Sequence, residues 1–241
     1  MAGRLSIVIP ALDEEAAIGD TVARCLAARE HLRAQAGLGA VEILVVSDGS
    51  SDRTVEIGEE LARKFPEVQI HSLGQPNYGK ALRQGILRAR GEFVICDEID
   101  LCDTDFHQRA IEALEAGRAD LVVGSKVMSG AHDRRPALRH AATLVINSML
   151  RVLVGFRGTD THGLKAFRRQ TLIPVAQQCV VDRDLFASEF VIRAERQVRV
   201  IEIPVHIVEK RPPSVNLFKR VPKVLRDIAR LTYVIRTNRA L

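Results

Sequence analysis

The chain has 241 residues, of which 46% are hydrophobic and 16 are Gly, which suits one sizeable globular domain, alone or with an appendage. Its four cysteines, Cys25, Cys96, Cys102 and Cys179, fit no zinc-knuckle spacing. No apolar run reaches the roughly 18 residues of a membrane span or the form of a secretory signal, so the chain reads as a cytosolic protein with reduced thiols. Residues 1–132 carry 14 Lys/Arg against 21 Asp/Glu (net −7), and residues 133–241 carry 21 against 9 (net +12). An acidic front and a basic back suit a cation site in the first and an anionic partner in the second.

In chain order, Leu5–Ile9 is a short β-rich run closed by Pro10, and Asp13 can cap a helix reaching about Gln35, with Glu14 and Glu15 in its first turn. Val41–Val46 is a second strand, followed by SDGSSD, where Ser51 or Asp52 can cap a helix to Lys64. Val68–Ser72 is a third strand, NYGK a turn with Gly79 at its positive-φ position, and Ala81–Ala89 a helix. Phe93–Cys96 is a fourth strand, Asp105–Glu115 a helix with Asp103 or Asp105 as cap, and Leu121–Gly124 a fifth strand. Further on come a helix over Leu138–Val154, whose apolar run is broken by Asn147 and Arg151, and GTDTHGLKAF, a loop entering a strand. A helix over Asp184–Arg196, a strand over Val198–Ile203 and a terminal helix within Asn216–Thr237 complete the pattern; beginning that last helix near Pro222 costs least.

Continuous apolar strands alternating with helices imply an α/β fold, a mostly parallel sheet covered on both faces. Ligands then bind beyond the carboxyl ends of the strands. The polar clusters follow those ends: PALDEE, SDGSSD, QPNYGK and DEID. Glu98 and Asp100 put two carboxylates at i and i+2, hard oxygen ligands that suit Mg²⁺ or Mn²⁺ and leave positions for substrate phosphates. Asp97 stands between a ligand and a structural reading, and Cys96 and Cys102 read as packing. Lys80 reads either as a phosphate contact or as a solvated charge. The fingerprints of a dinucleotide fold and a P-loop are absent.

SIVIPALDEE, EILVVSDGSSDRT, NYGKALRQGI, GEFVICDEIDL, LVVGSKV and DTHGLKAFRR occur in the order and spacing of family 2 glycosyltransferases with the GT-A fold. The resemblance runs to about Glu209, and DTHGLKAF, Glu189 and IEIPV make the chain most similar to the dolichyl- and polyprenyl-phosphate hexosyltransferases. It implies a glycosyltransferase domain over residues 1–210; the helical spacing of apolar and basic residues beyond it reads as a basic amphipathic helical segment over 211–241 that can lie on an anionic membrane or pack on the domain. The resemblance implies that Pro10, Ala11, Asp13 and Glu14 line the nucleoside pocket and that Asp48 contacts the base, with Lys80 a further candidate on the donor side. The DxD motif of the family falls on Glu98-Ile99-Asp100, with Glu in place of the first Asp.

The reaction implied is metal-dependent transfer of a hexose, with inversion, from a nucleotide diphosphate sugar to a polyprenyl phosphate at the cytoplasmic membrane face, with no nucleic-acid partner. Lys126, in GSK, Arg139 and Lys165 are candidates for the acceptor phosphate, and Asp160 and Glu189 for positioning groups. A lone His such as His162 is read as structural before catalytic. A phosphate monoester has a second pKa near ~6 and needs no general base, whereas a sugar hydroxyl does. The alternatives are a family 2 enzyme using a soluble hydroxyl acceptor, for which Asp160 or Glu189 would be the base, and a non-catalytic nucleotide-sugar binding protein.

Overall fold

A computed structural model describes residues 5–36, 41–99, 103–133, 137–182, 185–207 and 217–237. The elements in order are β1 (Leu5–Ala11), α1 (Ile18–Ala36), β2 (Val41–Ser47), α2 (Thr54–Lys64), β3 (Val68–Ser72), α3 (Tyr78–Arg88), β4 (Phe93–Cys96), α4 (Thr104–Glu115) and β5 (Leu121–Ser125). The two-residue β6 (His132–Asp133) and β9 (His206–Ile207) pair with each other. Between them lie α5 (Ala137–Val154), β7 (Lys165–Arg168), α6 (Arg169–Gln178), α7 (Phe186–Glu195) and β8 (Val200–Pro204), and α8 (Leu217–Thr237) follows.

Seven strands form one sheet in the order β3-β2-β1-β4-β7-β5-β8, parallel except for β7, which runs antiparallel to both β4 and β5. Side-chain alternation divides the core between the two faces. Ile7, Ile9, Val45, Phe93 and Ile95 point to a cluster with Ile18 and Val22 of α1 and Phe106 and Ile111 of α4. Val8, Leu44, Val94 and Phe167 point to a cluster with Leu82 and Ile86 of α3, Phe186 and Phe190 of α7, and Ile228 and Leu231 of α8. Both faces are covered, which is why these strands read as unbroken apolar runs.

β1 sends β2 and β3 to one side and β4 to the other, so the strand order reverses between β1 and β4, where a crevice opens at the carboxyl edge. β1 continues through Pro10, opposite Val46 of β2. The ladder with β4 has already ended at Val8, so no bond is missed for want of an N–H at position 10.

Four local expectations are corrected. Asp13 does not cap α1, which begins only at Ile18; Asp13 has φ of 53° and its Oδ1 accepts from Ser51 N (2.7 Å) and Ser51 Oγ (3.1 Å). NYGK is not a positive-φ turn, because Asn77 is the N-cap of α3, its side chain accepts Lys80 N (3.0 Å), and Gly79 lies inside the helix. A helix over residues 169–178 was missed because it contains Pro174. The last helix starts at Leu217 and carries Pro222 in its interior. The apolar stripe of that helix packs on the domain, with Ile228, Leu231, Val234 and Ile235 buried. Among the described residues no helix is long and apolar enough to cross a membrane.

Candidate active site

A cleft of about 310 Å³ lies at the carboxyl ends of β1, β2, β4 and β5. Pro10, Ala11, Glu14, Asp48, Glu98 and Lys126, all expected from the sequence, line it, together with His162 and the unanticipated Leu12, Tyr78 and Ile99. β7 enters the sheet in reverse, with Lys165 opposite both Cys96 and Val123, so the THG loop before it arrives at the same edge.

The β1 and β2 ends are held by reciprocal contacts between two loops. Glu14 N donates to Thr54 Oγ1 (2.7 Å), Glu15 N to Asp52 Oδ2 (3.0 Å) and Arg53 N to Glu15 Oε2 (3.1 Å). Asp52 Oδ1 accepts Thr54 N (2.9 Å) at the start of α2. Behind this lattice Asp48 is 3% exposed, and its Oδ1 is buried with no hydrogen-bond partner among the described residues. Burial pushes its carboxyl up to about 6; its own amide pulls it down, the Asp13 charge raises it, and the Asn77 amide lowers it. A buried acceptor without a donor is costly unless a ligand supplies one.

The acidic turn after β4 divides its labour. Asp97 is buried; its Oδ2 lies 2.6 Å from His107 Nε2 of α4 and its Oδ1 accepts Glu98 N (2.7 Å). It anchors the turn through these bonds and does not line the cleft. Thr21 Oγ1 of α1 donates to the Ile99 carbonyl from the other side. Glu98 is thereby directed into the cleft, and Asp100 lies outside the described residues. Asp103 caps α4, accepting Phe106 N at 2.9 Å. Cys96 is buried with its thiol pushed up to about 12, first by burial, which fits packing rather than ligation.

The β5–β7 flank carries Lys126, His162 and Asp160. Asp160 is 1% exposed; its Oδ1 accepts His162 N (2.8 Å) and its Oδ2 accepts Lys126 N (3.3 Å). Thr161 Oγ1 lies 3.0 Å from His162 Nδ1 and 2.9 Å from Ser188 Oγ, which fixes the ring. Gly163 permits a close approach of chains, since a Cβ there would lie 1.7 Å from the Gly124 carbonyl oxygen.

Other expected residues fall elsewhere. Lys165 is 3% exposed, its Nζ donates to the Gly163 carbonyl (2.6 Å), and it does not line the cleft. Burial lowers its pKa, against the upward pull of Cys96, Asp160 and Glu98. Glu189 is fully buried on α7, away from the cleft, where its Oε2 accepts Val180 N (2.9 Å) and Val181 N (2.6 Å) and its Oε1 accepts Arg193 Nε (2.8 Å). Lys80 sits in the first turn of α3, exposed and outside the cleft lining. Arg139 belongs to the first turn of α5, and its side chain lies outside the described residues. Sequence reasoning assigned no role to Asn147, Arg151, Glu195 or Glu202, all of which hold the loop before β7. Asn147 and Arg151 did leave a signal, as the two polar breaks in the apolar run of α5.

A doubly covered sheet with a cleft at its switch point, a buried acceptor and an acidic turn is the arrangement of the GT-A fold. The model of the family described as "Glycosyl transferase family 2" matches residues 6–187. The chain belongs to that family. It is 28% identical over 221 residues to "Glycosyltransferase AglD" of Haloferax volcanii, covering 90% of this chain and 35% of that protein. It is 32% identical over 213 residues to "Dolichyl-phosphate beta-glucosyltransferase ALG5C" of Trichomonas vaginalis, covering 83% of this chain and 62% of that one. The chain thus spans from about a third to under two thirds of the length of these two curated relatives. Among solved structures it resembles the mannosyltransferase PcManGT from Pyrobaculum calidifontis in complex with GDP-Man and Mn²⁺, with a TM-score of 0.60 and 17% identity over all of this chain and 66% of that one.

Proposed function

We propose that the protein transfers a hexose from a nucleotide diphosphate sugar to a polyprenyl phosphate, with inversion at the anomeric carbon. The observation that carries this reading is the convergence in one cleft of buried Asp48, acidic Glu98 and cationic Lys126. Asp48 Oδ1 would accept a ring N–H of the base, which uracil, thymine and guanine offer and cytosine lacks. Glu14 and the β1 end would wall the nucleoside.

The donor set suits a hard divalent cation: Glu98 in the cleft, and Asp100 beside it in the sequence, offer oxygen ligands and no thiolate. Such an ion, when bound, stabilises charge developing on the leaving diphosphate. The PcManGT complex, solved with Mn²⁺, and the fold it shares with this chain support the same reading.

Acceptor chemistry follows from which carboxylates are spoken for. Asp160 is almost fully buried with both oxygens accepting backbone N–H groups, and Glu189 is closed in by two amides and Arg193. Neither is offered as a base to a hydroxyl. A phosphate nucleophile requires none, only cations to hold it in line, and Lys126 reaches the cleft for that purpose. Relatives named for dolichyl phosphate and for undecaprenyl phosphate support the same acceptor class. The acceptor would be met at a membrane surface, where exposed Arg226, Arg230 and Arg236 of α8 and the exposed Leu144, Val145 and Val152 of α5 offer peripheral contact.

The test is transfer of labelled sugar from UDP-, GDP- and dTDP-hexoses, with Mn²⁺, to a short-chain polyprenyl phosphate, read in butanol extracts. Label found only on a hydroxyl acceptor, or donor binding without turnover, would refute it.

A further inference from the structure

We infer that Glu202 is a positioning residue for the transfer reaction, acting through the loop before β7 on Asp160; this rests on the proposed function of the cleft. Two carboxylates hold three backbone N–H groups of that loop. Glu195 of α7 accepts Arg157 N (3.2 Å). Glu202 of β8 accepts Thr159 N (2.7 Å) and Asp160 N (3.2 Å) through Oε1, and Thr159 Oγ1 (2.6 Å) through Oε2. The carbonyls are held from α5, Thr159 O by Asn147 Nδ2 (2.5 Å) and Gly158 O by Arg151 Nη2 (2.9 Å). Close packing adds to the grip, since a Cβ at Gly158 would lie 2.5 Å from Glu202 Oε1.

Of these holds, the one on the Asp160 amide comes from Glu202. The other end of Asp160 binds the amides of Lys126 and His162, whose side chains line the cleft. The relay runs Glu202, then Thr159 and Asp160, then Lys126 and His162. Charge-assisted bonds to backbone N–H groups are about twice as strong as neutral ones, so Glu202 keeps a surface loop in one conformation. A displacement near 1 Å of a group that orients substrate costs about a hundredfold in rate.

The experiment is a double-mutant cycle on transfer, with donor-nucleotide affinity measured alongside, in the wild type, E202A, D160N and the double variant. E202A is expected to lose about a hundredfold in kcat with donor Kd within about twofold, and to cost no more than about twofold further in the D160N background, because both remove one arrangement. Losses that multiply, transfer by E202A near the wild-type rate, or donor affinity falling in step with kcat would each overturn the inference. Should E202A fail to fold, E202Q, which keeps the Oε1 acceptor, takes its place in the cycle under the same criteria with an expected loss of about tenfold. Donor hydrolysis read in the same proteins separates the two proposals. A wild type that hydrolyses donor but ignores the lipid phosphate refutes the acceptor, while the hydrolysis cycle still decides on Glu202.

Discussion

The two flanks of the cleft are built on different principles. On the flank proposed for the donor, parallel strands end in loops that serve the helices they enter: Asp52 accepts Thr54 N at the start of α2, Asn77 caps α3 and Asp103 caps α4. These three contacts span two or three residues. On the acceptor flank, an antiparallel strand is inserted between β4 and β5, and the loop before it is held by side chains 7 to 43 residues away. The donor flank adds one brace between two neighbouring loops, Glu14 to Thr54 and Glu15 to Asp52 and Arg53, whereas the loop before β7 is gripped from three separate elements, α5, α7 and β8. The donor flank should therefore tolerate changes on the other side, whereas the acceptor flank should fail as a unit.

The largest effect is expected at the cation site proposed on the donor flank. Asp100→Asn should cut turnover by on the order of 10²–10³-fold with the fold intact, and Glu98→Gln by less. Activity that survives excess chelator would remove the metal role of both residues.

Next is a stability effect with no catalytic signature. Glu189→Ala should destabilise the protein by about 3–5 kcal/mol, because it leaves Arg193 and two backbone amides of the Val180–Val181 turn without their buried carboxylate. An unchanged denaturation midpoint, or lost turnover at full stability, would show that Glu189 is not the structural clamp described.

Lys126→Ala sharpens the contrast between the flanks. It should raise the acceptor KM or lower kcat by about tenfold while donor affinity stays within about twofold. Equal losses for donor and acceptor would mean that Lys126 contacts the donor instead.

The Asp48 carboxyl gives a pH signature on the donor flank. With its folded value raised from 3.8 to about 6, the folded state holds more protons than the unfolded chain between those values. Asp48 alone then makes stability fall as pH rises through that window. Donor binding should run the other way, since the ionised carboxylate accepts an N–H best, so affinity should weaken as pH drops below about 6. Calorimetry in buffers of different ionisation enthalpy should show proton release on donor binding near pH 6, lost in Asp48→Asn. Affinity that is flat from pH 5 to 7 would break the assignment.

The smallest effect belongs to α8. Replacing exposed Arg226 and Arg230 with Glu should weaken binding to anionic vesicles at low salt by about fivefold per charge removed, without changing turnover on a soluble short-chain acceptor. Vesicle binding indifferent to these charges would leave α8 as a packing helix only.

Much of the donor flank was legible because apolar periodicity and caps are local. β3 and β4 fall on the residues expected, and Asp48 and Glu98 face the cleft as their positions after β2 and β4 imply. The errors there came from competition between local options. At NYGK, Asn77 used as an N-cap outcompetes Gly79 used as a turn residue, and Asp13 serves the α2 loop rather than its own helix. On the acceptor flank the residue types were visible but their roles were not. Lys165 reads as a phosphate ligand until β7 is seen to bury it, and Asp97 stands between a ligand and a structural reading until α4 brings His107 to it.

The sequence by itself determined the α/β class, the family, the strand ends that gather at the cleft, and the charge division between front and back. These depend on periodicity, capping and motif order, which are written in neighbouring residues. Only the tertiary structure decided the reversed strand β7, the anchoring of Asp97, the burial of Lys165 and Glu189, and the hold of Glu195 and Glu202 on the acceptor loop. A carboxylate has the same letter whether it faces solvent, a cation or a backbone amide, and only the packing of distant elements selects among them.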